Sequence, residues 1–284
     1  MPKIAVVTDS NSGISQKEAD ERGLSVVPMP FTINEKTYYE GVNLTREEFY
    51  QWMEDGADIS TSQPTPSSVK EAWDKALESC DEIVHIPMSS GLSGSCQSAM
   101  LLAQDYGGRV QVVNNQRISV TLKRSVLDAR EMAARGMTAA QIKDELERVK
   151  MEASIYIMLD TLTHLKKGGR ITPAAAAVGS LLRIKPVLQI KGERLDAFSK
   201  ARTLSQGKNV MISTMKHDIE TLYDNDVWLY AVQGYVPDRF AEFAAEVREA
   251  FPGRKVEEDM LSLSIACHIG PGALAIACSK KIRE

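Results

Sequence analysis

The chain has 284 residues, of which 43% are hydrophobic and 25% are charged. This is the composition of an ordinary globular protein, which excludes global disorder, and the length favours about two domains of ~150 residues each. Lysine and arginine total 34 against 38 aspartates and glutamates, for a net charge of −4. A mildly acidic chain is not expected to bind nucleic acid through its bulk charge.

Neither a leader nor a membrane span is predicted. The first ten residues, MPKIAVVTDS, lack the apolar core and cleavage site of a signal peptide. Residues 260–279 carry no Asp, Glu, Lys or Arg, but a Gly-Pro-Gly turn at 270–272 interrupts them and their first half alternates in hydrophobicity. This pattern predicts two strands joined by a turn. The four cysteines form no CxxC pair and predict free thiols, so we expect a cytoplasmic protein.

The first half of the chain alternates apolar runs with amphipathic stretches. Apolar runs at 3–8, 82–87 and 110–113 predict buried parallel strands. Short strands at 24–33 and 36–39, around an Asn34-Glu35 turn, predict a small β-ribbon. Helices are predicted at 14–22, 45–53, 66–79, 96–106, 122–135 and 138–150, several of them opened by Ser or Thr caps. The alternation predicts a parallel sheet with helices on both faces.

The second half mixes hairpins with helices. Strands are predicted at 155–159, 187–190, 194–200 and 227–233, followed by the apolar hairpin of 260–279. Helices are predicted at 161–167, 173–182, 205–223 and 237–251. We therefore predict an α/β domain over residues 1–150, with a β-ribbon insertion at about 28–60, and an α+β mixed-sheet domain over 151–284.

Three polar clusters fall at strand ends or in loops. They are Thr8-Asp9-Ser10, the loop 60–66 and the segment 89–95. Ligands of a doubly wound sheet bind beyond the carboxyl ends of its strands. Hydroxyls and backbone amides beside a helix start are suited to a carboxylate or a phosphate. The same residues could instead be ordinary caps and turns.

A serine hydrolase is an alternative function. The segment GLSGS at 91–95 resembles the Gly-x-Ser-x-Gly turn of these enzymes, with serine in place of the last glycine. Ser93 would then be the nucleophile and His268 its base. The acid would be Asp160, Asp196 or Asp259.

Two further candidate sites, the run at 166–170 and His268, each allow two interpretations. The run KKGGR at 166–170 suits a helix end, or it holds Arg170 on a tight turn facing an anion. His268 is either a structural histidine or a ligand contact before the Gly-Pro-Gly turn. No His, Cys and Asp group has metal spacing, and neither nucleotide-binding glycine motif occurs, so no metal or other cofactor is expected.

Motifs along the whole chain together resemble those of the DegV family. In chain order they are TDS at 8–10, TSQP at 61–64, SSGLSG at 89–94, KGGRI at 167–171, IKP at 184–186 and HIGPG at 268–272. Each motif alone is common, but their conjunction in this order is specific. The resemblance implies a two-domain fold, an α/β domain with a β-ribbon insertion and an α+β domain, with a long-chain fatty acid between them.

The resemblance also implies roles for six residues. The hydroxyl of Thr61 or Ser62, that of Ser93 and the Gly94 amide would bind the fatty-acid carboxylate, while Arg170 and His268 would lie close by. The family's role is that of a binding component and not an enzyme. It presents a fatty acid of the palmitate, stearate or oleate class to a separate fatty-acid kinase, which makes acyl phosphate for phospholipid synthesis. Both a monomer and a homodimer are compatible with the sequence.

One segment departs from the family pattern. Where the family commonly has an acid followed by small, glycine-containing sequence, this chain has Asn114-Asn115 and then QRIS at 116–119. The departure is expected to affect the pocket wall, the ligand length and the partner surface. The apolar elements at 173–184 and 273–278 either line a tunnel for the tail, worth ~0.8 kcal/mol per buried CH₂, or form plain core.

Overall fold

The computed structural model describes residues 2–170, 172 and 184–282. The chain divides into two compact units. The first comprises Met1–Lys150 and Ser262–Ser264, and the second comprises Met151–Leu261 and Ile265–Glu284. The helix predicted at 173–182 lies outside the described residues.

The first unit alternates strands with helices. Its strands are β1 (Ile4–Asp9), β2 (Ser25–Val27), β3 (Pro30–Ile33), β4 (Lys36–Tyr39), β5 (Ile59–Thr61), β6 (Glu82–Ile86) and β7 (Val110–Val112). Its helices are α1 (Gln16–Arg22), α2 (Arg46–Glu54), α3 (Pro66–Leu77), α4 (Ser95–Ala103), α5 (Ser119–Ala134) and α6 (Ala139–Arg148). The predicted alternation of buried strands and helices is therefore confirmed.

Four of these strands form a parallel sheet in the order β2-β1-β6-β7. From β1 the chain moves to β2 on one side and later to β6 and β7 on the other. The strand order thus reverses between β1 and β6, and a crevice opens beyond the carboxyl ends of two strands at such a point. This topology fixes where loops of the first unit can converge.

The β-ribbon is a three-stranded antiparallel sheet in the order β4-β3-β5. Two details differ from the prediction. The predicted strand 24–33 is split, because Ser25–Val27 pairs with β1 in the parallel sheet and only Pro30–Ile33 joins the ribbon. Ser60 and Thr61, predicted as the start of the loop 60–66, belong with Ile59 to the third ribbon strand.

Four helices of the first unit begin at a Ser or Thr cap. The hydroxyls of Ser15, Thr45, Thr65 and Thr138 each accept the backbone N–H of the residue three positions on. A side-chain acceptor at this position satisfies an amide that the helix leaves unpaired. These four helix starts therefore have a local cause that is visible in the sequence.

The second unit is built on a mixed sheet in the order β10-β9-β8-β13-β11-β12. Its strands are β8 (Ala153–Met158), β9 (Lys185–Lys191), β10 (Arg194–Ala201), β11 (Val227–Gln233), β12 (Val256–Met260) and β13 (Leu274–Lys280). Its described helices are α7 (Thr163–Gly168), α8 (Leu204–Thr221), α9 (Pro237–Ala250) and α10 (Leu263–Ile269), the last beginning in the first unit. Only β11 and β12 pair in parallel, so the predicted mixed sheet is confirmed.

The predicted hairpin at 260–279 is wrong. Leu263–Ile269 is a helix, because its buried apolar residues Leu263, Ala266 and Ile269 recur every three positions. The strand before it, β12, has the sequence VEEDM and lies at the sheet edge. Charged residues are typical of edge strands and hide the apolar alternation on which strand prediction relies. Across the described residues, no helix is long and apolar enough to span a membrane.

A buried histidine lies in the core of the first unit. His85 on β6 is 3% exposed, and its Nδ1 accepts the indole N–H of Trp73 at 2.8 Å. Burial lowers the pKa of His85 to about 3. The folded protein therefore holds this ring neutral, with Nδ1 as the acceptor.

We predict that His85 contributes a pH-dependent loss of stability in acid. Below the ordinary pKa of 6.5 the unfolded chain takes up a proton that the folded chain excludes, so the free energy of unfolding falls as pH falls towards 3. His85→Asn keeps an acceptor for Trp73, and between pH 6 and 4 its unfolding free energy should decline less steeply, by about 1 kcal/mol per pH unit. Urea unfolding of both proteins measures the two slopes. Equal slopes would contradict the neutral, buried ring.

Candidate functional site

The carboxyl ends of β1 and β6 are joined by the side chain of Asp9. This carboxylate is 1% exposed and accepts the backbone and side-chain N–H groups of Asn11, both at 2.9 Å. Its second oxygen accepts the amide of Met88 at 2.8 Å, in the loop after β6. Burial raises the pKa of Asp9 and the three hydrogen bonds oppose that rise. Asp9 therefore fixes both loops at the point where the strand order reverses.

The two hydroxyl-bearing loops of the first unit lie side by side. Thr61 pairs with Phe31 in the ribbon, and the amide of Ser62 donates to the carbonyl of Pro30 at 3.2 Å. The next residue, Gln63, donates from Nε2 to the Ser98 hydroxyl of α4 at 3.0 Å. Thr61 is partly buried and Ser62 is exposed. The ribbon thus presents this loop to the first turns of α4.

Ser93 and Gly94 form the entry to α4. The Ser93 hydroxyl exchanges a hydrogen bond with the Ser95 hydroxyl at 2.7 Å and accepts the Ser95 amide at 3.2 Å. A Cβ at Gly94 would lie 2.9 Å from Oε1 of Gln63, so the two loops are in contact here. Thr61, Ser62, Ser93 and Gly94 are therefore brought to one region of the first unit.

His268 and Arg170 belong to the second unit, where both are close to Gly168. His268 lies near the carboxyl end of α10 and Gly168 at that of α7. A Cβ on Gly168 would be 2.5 Å from Nδ1 of His268, so the ring rests directly on this backbone. Arg170, which is exposed, donates from Nη1 to the Gly168 carbonyl at 2.5 Å. The KKGGR run thus supplies the surface against which His268 packs.

The ring of His268 is neutral at physiological pH. Its partial burial, and secondarily the positive charge of Arg170, lower the pKa of His268 to about 4. Cys267, its neighbour in sequence, has a pKa raised to about 11 by burial. A neutral imidazole can donate one hydrogen bond and accept another, but with this pKa it is a weak general base.

The Gly-Pro-Gly turn after His268 is held by residues that the sequence did not single out as ligands. Gly270 and Gly272 have φ of +76° and +91°, and a Cβ on them would collide with His164 and Asp160 respectively. Nη1 of Arg239 joins the turn to Asp160, donating to the carbonyl of Gly272 at 3.3 Å and to an Asp160 oxygen at 3.1 Å. Both glycines are therefore required by backbone conformation and by close approach.

The carboxylate of Asp160 has a structural role, because it pairs with two cationic side chains. It accepts from Lys185 at 2.5 Å as well as from Arg239, and these hydrogen bonds and charges outweigh its burial, so its pKa is lowered. Lys185 is the lysine of the IKP motif, so this motif supplies a cation that pairs with Asp160. The position of Arg239 on α9 carried no local signal, because its partner is 79 residues away in sequence.

The segment 114–119, which departs from the family pattern, contains two residues with a left-handed backbone conformation. Gln116 and Ser119 both have φ of 56°, a conformation that costs a residue with a side chain about 1–2 kcal/mol. Arg117 between them is 3% exposed and donates to the Ser125 hydroxyl at 3.1 Å and the Val149 carbonyl at 2.7 Å. Its own carbonyl accepts the amide of Ser89 at 2.9 Å. The bulk of Arg117 is therefore accommodated inside the first unit.

Comparison with known proteins gives the family. The model of the family described as uncharacterised proteins of the DegV family matches residues 3–281. A Deinococcus radiodurans protein described as DegV domain-containing is 33% identical over 275 residues, which are 96% of this chain and 97% of that protein. The chain belongs to the DegV family. The resemblance drawn from the sequence motifs is thus confirmed.

Two solved structures share the fold over nearly their whole length. A Thermus thermophilus DegV protein, described by its fatty acid binding, has a TM-score of 0.90 and 31% identity, covering 98% of this chain and 100% of that one. A stearic acid-binding protein from Eubacterium ventriosum has a TM-score of 0.89 and 25% identity, covering 99% of both chains. The predicted DegV-like α/β fold, with a parallel sheet and a mixed sheet, is therefore confirmed. Within the described part of this chain, no group of His, Cys, Asp and Glu could hold a metal ion.

We predict that Gly168→Ala displaces the ring of His268. Alanine is favoured over glycine in a helix by about 1 kcal/mol, so α7 should persist, but the new methyl group would lie 2.5 Å from Nδ1. The chain has four histidines, so the ring signals of His268 can be resolved and followed by nuclear magnetic resonance. Gly169→Asn is the matched control, because nothing lies within 4 Å of a Cβ there and asparagine tolerates its φ of +66°. Unchanged His268 signals in Gly168→Ala would refute the contact.

Proposed function

We propose that this DegV protein binds a long-chain fatty acid and acts as a binding protein and not as an enzyme. The observation that carries the proposal is the similarity over nearly the full length to the Thermus and Eubacterium proteins, both described as binding fatty acid. The chemistry of the converging loops is compatible with it, since hydroxyls and amides suit a carboxylate. The ligand would belong to the palmitate, stearate or oleate class.

The carboxylate would be held by groups of the two loops of the first unit. Thr61, Ser62 and Ser93 offer hydroxyls, and Gly94 offers its amide. Arg170 and His268 would contribute near the head group, one as a cation and the other as a neutral donor. Burial of a sixteen-carbon tail contributes on the order of 10 kcal/mol before entropy costs, so the head-group contacts mainly set orientation.

The hydrolase alternative lacks comparable support. A serine nucleophile needs a base whose pKa lies near the operating pH, but the pKa of His268 is lowered to about 4. The Ser93 hydroxyl is engaged with Ser95. Of the three candidate acids, Asp160 is already bound to Lys185 and Arg239. These features favour a binding serine over a nucleophilic one.

We also propose that the bound fatty acid is presented to a separate fatty-acid kinase, and that both proteins are cytoplasmic. The sequence carries neither glycine motif for a nucleotide phosphate, so a second protein would supply ATP chemistry. The location rests on the four free cysteines, two of them buried, which suit a reducing compartment. In this division of labour the chain supplies only the positioned carboxylate.

The first test of the proposal is lipid content and affinity. Purified protein should carry about one fatty acid per chain, measured by native mass spectrometry, and should bind added palmitate once delipidated. Ser93→Ala and Thr61→Ala should each weaken binding by ~1–3 kcal/mol, because each leaves a charged group short of one hydrogen bond. The double variant should lose less than the sum if both hydroxyls hold one carboxylate.

Two controls make this test decisive. Ser213→Ala removes a hydroxyl from the exposed face of α8, where it donates only to Val210, and should bind palmitate like the wild type. Fluorophosphonate should leave Ser93 unlabelled. Empty protein that also fails to bind palmitate or oleate would refute the binding function, and stoichiometric labelling of Ser93 that His268→Ala abolishes would establish the hydrolase instead.

The partner proposal predicts when acyl phosphate forms. With ATP and the loaded protein, product should appear only after a fatty-acid kinase is added, because the bound fatty acid offers a carboxylate but the sequence carries no glycine motif for a nucleotide phosphate. Thin-layer chromatography of radiolabelled lipid measures the product. ATP-dependent acyl phosphate made by this chain alone would contradict the division of labour.

A further inference from the structure

The chain returns briefly to the first unit just before His268. Ser262–Ser264 belong to the first unit, whereas the residues on either side belong to the second. Leu263 is also the first residue of α10, the helix on which His268 is the sixth residue. All three returning residues are buried, each less than 5% exposed. The start of this helix is therefore fixed by residues of the first unit.

Glu40 is the principal contact of the returning segment. It follows strand β4 of the ribbon, and both of its carboxylate oxygens accept the Leu263 amide, at 2.9 and 3.0 Å. The Glu40 side chain is 18% exposed and also pairs with Arg46 at 3.3 Å. The first amides of a helix have no partner within the helix, so a side-chain oxygen that accepts one of them stabilises its first turn.

A second contact holds the same turn. The Ser264 hydroxyl donates to Oδ1 of Asn11, and the side-chain amide of Asn11 donates to Asp9. Ser264 and Asn11 are 3% and 2% exposed. The helix start is thereby connected to the buried carboxylate that fixes the loops after β1 and β6.

A helix of this length depends on such contacts for its position. α10 has seven residues, about two turns, and helices so short have little stability of their own in water. Leu263 and His268 are separated by about 7–8 Å along the axis at 1.5 Å per residue. At the other end the ring rests on Gly168 and the chain enters the constrained Gly270–Gly272 turn. The His268 ring is therefore carried by the same short helix whose first turn is held by Glu40 and Asn11.

We infer that Glu40 is a positioning residue for His268, acting through the amide of Leu263. The inference rests on the proposed function in so far as His268 contacts the fatty-acid head group. In this inference Glu40 does not contact the ligand. Its role is to hold the start of α10 so that the imidazole is preorganised.

Three variants of the full chain separate this role from general stability. Glu40→Ala removes the acceptor of the Leu263 amide. Glu40→Gln keeps an oxygen acceptor and removes the charge, and Arg46→Met removes the ion pair while leaving the carboxylate in place. Glu40 and Leu263 line an open cleft of about 680 Å³, so the variant side chains have room.

The expected results are a local change at His268 and a moderate loss of affinity. Glu40→Ala should shift the ring signals of His268 but not those of His85, and should weaken palmitate binding about three- to tenfold, because water in the cleft can partly replace the acceptor. Glu40→Gln and Arg46→Met should keep the His268 signals and the affinity of the wild type. If Glu40→Ala does not fold, Ser264→Ala tests the same turn and should shift the His268 signals.

The outcomes distinguish this inference from the proposed function. Unchanged His268 signals in Glu40→Ala, or an equal shift in Arg46→Met, would overturn the positioning role. If wild-type protein binds no palmitate, the proposed function fails, while the ring signals still decide whether Glu40 positions His268.

Discussion

The buried carboxylate of Asp9 is the interaction on which the candidate site depends. Two parallel strands that end side by side leave loops with unpaired amides, and the order of this sheet reverses between them. One carboxyl group accepts from both loops, through Asn11 on one side and Met88 on the other. Its three hydrogen bonds oppose the rise in pKa that burial causes, and a buried acceptor so used is costly to replace. The loop after β6 that is rich in serine and glycine begins directly after Met88, which Asp9 anchors.

Local chemistry explains why much of the fold could be predicted. Hydroxyl caps at Ser15, Thr45, Thr65 and Thr138 act over three residues, and the apolar runs of the parallel sheet are contiguous. Strand β12 escaped prediction because its edge position tolerates three acidic residues in five. Helix α10 escaped because seven residues carry too few periods to separate helical from alternating spacing.

The candidate site, like the fold, has parts that local sequence predicts and parts that it does not. Loops rich in serine and glycine after strands can be recognised in the sequence, because the topology of a parallel sheet says where they converge. Glu40 and Arg239 could not be recognised, since their partners are 223 and 79 residues away and no spacing rule connects them. The segment 114–119 is intermediate. Its departure from the family pattern is visible in the sequence, but the left-handed backbone at Gln116 and Ser119 and the buried contacts of Arg117 with Ser125 and Val149 follow no local sequence rule.

The return of Ser262–Ser264 to the first unit has a consequence for dissecting the molecule. A fragment ending at Lys150 would contain the whole parallel sheet and yet lack three buried residues of its own unit. Glu40 would lose the Leu263 amide and Asn11 the Ser264 hydroxyl, leaving two polar side chains short of partners at a newly uncovered surface. A fragment beginning at Met151 would in turn carry the start of α10 without its acceptors. Each fragment would therefore lack contacts that its residues make in the intact chain.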